Sequence, residues 1–299
     1  PYFSFFNFNQ SFFHIIKYYT IMLKNTPRII ARLDIKNSDL VKGVNLEGLR
    51  VLGKPEEFSD LYYKEGADEI IFQDVVASLY GRNTLYEIIK RTAKNIFIPL
   101  TVGGGIRTLK DIEKVLKAGA DKVSINTAAV KKPSFINEAS KEFGSSTIVI
   151  TIETIKNLKG EYLLLTDSGR ELTKKKTIQW ANESADRGAG EIILTSIENE
   201  GTGKGFDVKL FDTISNKLII PISVHGGAGK ISHFNEFKKF TPDGFVISSC
   251  LHYSYLDKIN KKNKFDGNNS FLINQENFLN FDKMSIGKIK KRVWRKNLQ

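Results

Sequence analysis

Two carboxylates and two glycine clusters are spaced so that they could act on one ligand. Asp34 and Glu153 each close a short β-branched run. Paired carboxylates in unlike surroundings can divide the acid and base roles of a reaction. Gly103-Gly104-Gly105 and Gly226-Gly227-Ala228-Gly229 follow two further runs, with Asn126-Thr127 and Ser248-Ser249 at the ends of the next ones. Glycines let backbone N–H groups approach an anion, and a helix N-terminus adds donors and a favourable dipole. Two such clusters predict two phosphate pockets, and so a long ligand with a phosphate at each end. Lys42, Asp74, Thr195 and Glu200 are further candidates for the same rim.

The elements that position these groups come from an internal repeat. Gly66 through Ile71 (GADEII) matches Gly188 through Ile193 (GAGEII) at an offset of 122 residues, and Pro99-Leu100-Thr101-Val102 matches Pro221-Ile222-Ser223-Val224 at the same offset. Asp121 matches Asp243 in the same way. Eight β-branched runs end near Asp34, Asp74, Val102, Asn126, Glu153, Ser196, Val224 and Ser248, and amphipathic stretches at 55–65, 82–94, 108–118, 132–142, 175–187, 207–216 and 231–239 lie between them. Alternating strands and helices imply a parallel sheet, and two like halves of four units imply closure into a (β/α)₈ TIM barrel rather than a doubly wound sheet.

Barrel active sites lie at the C-terminal strand ends, which places both acids and both glycine clusters at one mouth. Strands 1 and 5 face each other, so Asp34 and Glu153 can flank the middle of a ligand gripped at its tips. At the opposite end, Arg28, Glu69, Lys122 and Glu191 fall near the starts of strands 1, 2, 4 and 6. The alternation Arg28, Ile30, Arg32, Asp34 points all four inward. Two cations and two anions buried together cost stability unless they pair. They predict a ring closing the barrel floor, where something small could pass; the alternative is four surface residues at fraying strand ends.

Composition bounds the rest. The chain has 299 residues, 41% of them hydrophobic, which is ample for a core, and one cysteine, Cys250, which excludes a disulfide scaffold or a cysteine-rich metal site. Neither a metal nor a cofactor is expected. No apolar run is long enough to span a membrane. The net charge is +12, but ten cationic and three acidic side chains fall within 261–299, so the excess is a basic tail and not a nucleic-acid face. The expected setting is cytoplasmic. Residues 1–22, rich in phenylalanine, are expected to be an extension outside the fold, 23–256 the barrel, 257–283 an inserted loop, and 284–299 a basic helix completing it. In that helix, Ser285 is the expected cap and Ile286, Ile289 and Val293 the buried face.

At these residues the sequence resembles the cyclase subunit of imidazole glycerol phosphate synthase, of histidine biosynthesis, from about Arg28 to Tyr253. The resemblance is carried by Leu33-Asp34-Ile35-Lys36, Val41 through Asn45, Pro99 through Arg107 (PLTVGGGIR), Ala118 through Asn126 (AGADKVSIN), Gly188 through Ser196, Glu200-Gly201-Thr202, Gly226 through Gly229 and Leu251-His252-Tyr253. It implies a glutamine amidotransferase partner docked on the barrel floor, whose ammonia passes Arg28, Glu69, Lys122 and Glu191. The acceptor it implies is a bisphosphorylated ribulosyl-formimino aminoimidazole carboxamide ribotide. Asp34 then matches the first catalytic aspartate; Gly104, Asn126 and Thr127 match one phosphate site, and Gly201, Gly227, Ser248 and Ser249 the other.

Three positions depart from the family pattern. Glu153 stands in place of a second aspartate, Arg32 in place of a small residue, and His225 in place of a serine in the loop after strand 7. An alternative acceptor is a sugar, amidated for surface polysaccharide by a related ammonia-dependent subunit; such an acceptor need not carry two terminal phosphates. A catalytically idle binding barrel and the pathway's sugar isomerase are the remaining readings, and neither gives a reason for both acids and the charged ring.

Overall fold

The computed structural model describes residues 26–76, 85–237, 240–260 and 281–296. In the first half, β1 (Arg28–Lys36) leads into a hairpin of β2 (Asp39–Val44) and β3 (Glu47–Gly53), followed by α1 (Pro55–Lys64), β4 (Glu69–Asp74), α2 (Tyr86–Ala93), β5 (Leu100–Gly103), α3 (Leu109–Lys117) and β6 (Lys122–Ile125). The second half opens with α4 (Thr127–Lys131) and α5 (Ser134–Phe143). It continues through β7 (Ile148–Lys156), a second hairpin of β8 (Tyr162–Thr166) and β9 (Glu171–Lys176), α6 (Thr177–Asp186), β10 (Glu191–Ser196), α7 (Val208–Ser215), β11 (Ile222–His225) and β12 (Gly244–Ile247). Helices α8 (Ser249–Asn260) and α9 (Ile286–Lys296) follow.

Eight of the strands, β1, β4, β5, β6, β7, β10, β11 and β12, pair in parallel, and β12 returns to β1 with Arg28 opposite Gly244. This is the expected (β/α)₈ barrel, and the 122-residue offset has a physical basis in it. The Asp121 carboxylate accepts from Leu100 N at 2.8 Å, and Asp243 accepts from Ile222 N at 2.8 Å. Each acid holds the start of the preceding strand by the same bond.

The main core lies between the strands and the surrounding helices. A separate small cluster of Ile30, Ile71, Val149, Ile193 and Val246 fills the barrel axis. This apolar layer separates the charged floor from a polar mouth.

The hairpins β2–β3 and β8–β9 are additions to the expected pattern. They occupy the two longest intervals between barrel strands, and each pairs antiparallel with the extended end of β1 or β7 over the mouth. The described part of the amphipathic stretch 231–239, through residue 237, is not an α-helix: it forms a 3₁₀ turn at Ile231–Asn235. Its apolar residues recur every third position, which suits three residues per turn. Phe234 and Phe237 pack there against Phe206 and Phe245.

Helix α9 lies beside that turn with Ile286, Ile289 and Val293 buried, and Ser285 Oγ accepts from Lys288 N at 3.3 Å. Residues 1–25 and 261–280, which hold most of the expected extension and inserted loop, fall outside the described residues. No helix among the described residues is long and apolar enough to cross a membrane.

Candidate active site

The mouth is built from strand ends whose turns exclude side chains. Gly104 has φ +96°, and a Cβ there would lie 2.3 Å from Asp74 O; Gly226 has φ +99°, and a Cβ there would lie 2.6 Å from Ser196 O. Both turns therefore require glycine, and they are repeat mates packed on repeat mates.

Around the first turn lies a cavity of about 340 Å³ lined by Asp74, Gly104, Gly105, Asn126, Thr127 and Glu153 among others. Around the second is a narrow cleft of about 10 Å³ lined by Glu200, Gly201, His225, Gly226, Gly227, Ser248 and Ser249. The glycine clusters thus gather their predicted neighbours, although the second site is much the tighter.

The two acids differ sharply. Asp34, 1% exposed, accepts from Arg32 Nε at 2.8 Å and from Lys42 Nζ at 3.2 Å. Lys42 also binds Glu200, whose other oxygen accepts from Leu46 N at 3.0 Å. Burial alone raises a carboxyl pKa, but Arg32 and Lys42 outweigh it and hold Asp34 well below the usual range.

Glu153 is equally enclosed and among the described residues accepts only from neutral groups, Asn126 Nδ2 at 3.0 Å and Gly169 N at 2.9 Å. Burial dominates there, and although Arg32 opposes it, the carboxyl is pushed up to about 7. The fields of Asp34 and Arg32 both reach Glu153, so the three groups form one electrostatic unit.

Several expected residues take other parts. Asp34 lines neither cavity and is ion-paired to both Arg32 and Lys42. Lys42 and Thr195 are likewise internal: Lys42 bridges two carboxylates, and Thr195 Oγ1 lies 3.2 Å from His225 Nδ1. Asp74 caps its own turn, accepting from Val76 N at 3.0 Å. Asn126 spends both amide hydrogens on Glu153 and Leu165 O, and Thr127 Oγ1 accepts from Asp167 N at 3.0 Å. His225 is the last residue of β11, not part of the following loop.

Residue reasoning missed Arg107, Lys131 and the Asp167-Ser168-Gly169 turn of β8–β9, all on the first cavity or against Glu153. The turn carried its own signal: Asp-Ser-Gly between two β-rich runs, with all three residues at positive φ.

At the floor the four charges form a closed ring. Arg28 binds Glu69 at 2.8 Å and Glu191 at 2.5 Å; Lys122 binds Glu69 at 2.9 Å and Glu191 at 3.2 Å. Thr101 Oγ1 donates to Glu69 at 2.6 Å, and its repeat mate Ser223 Oγ donates to Glu191 at 2.8 Å.

The chain is a closed duplicated barrel with tight glycine turns at one end and paired charges at the other, and the family described as "Histidine biosynthesis protein" matches residues 28–257. Imidazole glycerol phosphate synthase subunit HisF of Legionella pneumophila is 53% identical over 208 residues, covering 70% of this chain and 98% of the relative. The subunits of the same name from Sulfurisphaera tokodaii and Campylobacter concisus are 49% and 45% identical, covering 75% and 77% of this chain and 90% and 91% of theirs. The chain belongs to the HisF family of imidazole glycerol phosphate synthase subunits, which are lyases of histidine biosynthesis.

Proposed function

We propose that this chain performs the cyclase half-reaction, using ammonia from a glutamine amidotransferase partner at the floor, in the cytoplasm. Its acceptor is the bisphosphorylated ribulosyl-formimino aminoimidazole carboxamide ribotide, and its products are imidazole glycerol phosphate and the aminoimidazole carboxamide ribotide. The observation that carries this reading is the pair of buried carboxylates at corresponding strand ends of the two halves, Asp34 held by two cations and Glu153 by neutral donors. Asp34 stays ionised and serves as base; Glu153, with a pKa of about 7, can deliver a proton to a leaving nitrogen or oxygen near neutrality.

The two glycine turns hold the terminal phosphates, with Arg107 and Lys131 beside the first. Asn126 and Gly169 fix the Glu153 carboxylate. The layer of Ile30, Ile71, Val149, Ile193 and Val246 favours passage of neutral ammonia over ammonium, because an unpaired ion loses its hydration there.

The test is turnover by the purified chain with ammonium salt at alkaline pH and no partner. Imidazole glycerol phosphate is the expected product. Binding of the ribotide without any product would overturn the reading in favour of sugar amidation.

A further inference from the structure

The two anion sites differ in how they supply positive charge. Arg107 and Lys131 line the first cavity. Among the described residues, the lining of the second cleft contains no lysine or arginine, and it includes Glu200. Ser248 is already committed, because its Oγ donates to Arg32 O at 2.9 Å. Backbone N–H groups, Ser249 and the start of α8 remain, together with one ring, His225.

The surroundings of that ring fix which nitrogen carries its proton. Arg32 Nη1 lies 3.4 Å from His225 Nδ1, and Thr195 Oγ1 lies 3.2 Å from the same atom. A guanidinium can only donate, so Nδ1 is the acceptor and the hydrogen sits on Nε2. The edge of the ring carrying Nδ1 is turned to Arg32 and Thr195, which leaves the Nε2 edge for the cleft that His225 lines. Burial, with the adjacent guanidinium, keeps the ring neutral by holding its pKa well below the ordinary value.

We infer that His225 is an anion ligand of the second site, donating from Nε2–H to a phosphate group at the mouth of the cleft, with Arg32 as the positioning residue that sets its tautomer. Arg32 thereby touches Asp34 through Nε and the distal anion site through Nη1, so one buried cation spans base and phosphate grip. This inference rests on the cyclase reading for the identity of the ligand, but not for the existence of the anion site.

The test uses the full chain with inorganic phosphate as the probe, read by long-range ¹H–¹⁵N spectra of the histidine rings, alongside steady-state kinetics with ammonium salt and the ribotide. The neutral Nε2–H tautomer is expected for His225, and its Nε2 resonance should move on saturation with phosphate. His225→Ala should raise KM about tenfold with kcat within about threefold, and His225→Gln, whose amide can place an N–H donor where Nε2 stands, should recover most of that loss. Arg32→Met should shift the His225 population toward the Nδ1–H form. A wild-type Nδ1–H ring, an Nε2 resonance indifferent to phosphate, or an unchanged KM in His225→Ala would each overturn the inference. A chain that never turns over the ribotide but whose Nε2 resonance follows phosphate would sink the cyclase reading and leave this one standing.

Discussion

The carboxylate ends of β1 and β7 occupy equivalent places in the two halves, yet their surroundings are chemically opposite. Asp34 lies opposite Val41 in the first hairpin, and Glu153 lies opposite Leu165 in the second. One residue further along each hairpin stands Lys42 in one half and Thr166 in the other. Two residues earlier on each barrel strand stand Arg32 and Thr151. The first acid has cations where the second has hydroxyls. One duplicated scaffold thus makes a permanent anion and a group titrating near 7 through two side-chain differences, while burial is the same for both.

The comparison breaks most severely at the base. Asp34→Asn should cut turnover about 10⁴-fold while ligand affinity stays within about tenfold, measured by single-turnover kinetics and titration calorimetry; a near-normal rate would remove Asp34 from the chemistry. Next comes its cation. Lys42→Met leaves Glu200 and Asp34 buried without their shared partner, and should cost about 3–5 kcal/mol in urea unfolding. A loss below about 1 kcal/mol would show that the pair is solvated in solution.

The two acids should also respond to pH with opposite sign. Glu153 binds its proton more tightly in the folded chain, so it contributes fully to stability below its ordinary value of 4.5 and loses that contribution as pH rises to about 7. Glu153→Gln removes this loss, so between pH 4 and pH 8 the variant should gain about 3 kcal/mol relative to wild type. Asp34, lowered, contributes above its ordinary 3.8 and loses that contribution only as pH falls below it. Parallel pH profiles for wild type and Glu153→Gln would show that Glu153 is not raised.

The smallest effect sharpens a second contrast between the halves. Helix α3 begins with a capping box, Thr108 Oγ1 accepting from Asp111 N and the Asp111 carboxylate accepting from Thr108 N. Its repeat mate is only the 3₁₀ turn at Ile231–Asn235, with α9 alongside. Thr108→Ala should therefore cost about 1 kcal/mol by thermal unfolding.

The barrel was legible because its repeat is enforced by structural bonds that recur, such as those of Asp121 and Asp243 to the preceding strands. The hairpins were not, because they lie over the mouth and lack a clean alternation. Val44, Val51 and Leu172 are exposed, and β9 reads Glu-Leu-Thr-Lys-Lys-Lys. The turn at 231 was misread because a three-residue spacing fits α and 3₁₀ geometry alike. The gathering of these residues at one end of the barrel was legible from strand ends, and the orientation of their side chains was not. Sequence could place Asn126 and Lys42 at the mouth but could not show that each is consumed in holding a carboxylate.

The floor ring has an asymmetry of its own. Its glutamate side chains are 3% and 8% exposed and each is pinned by a hydroxyl, whereas Arg28 and Lys122 are 29% and 18% exposed and lean toward solvent. The acids are thus the firmly anchored half of the ring and the bases its more exposed half. In the proposed complex, an acidic group of the partner would meet Arg28 and Lys122 first and leave the pinned glutamates and the strands that frame them undisturbed.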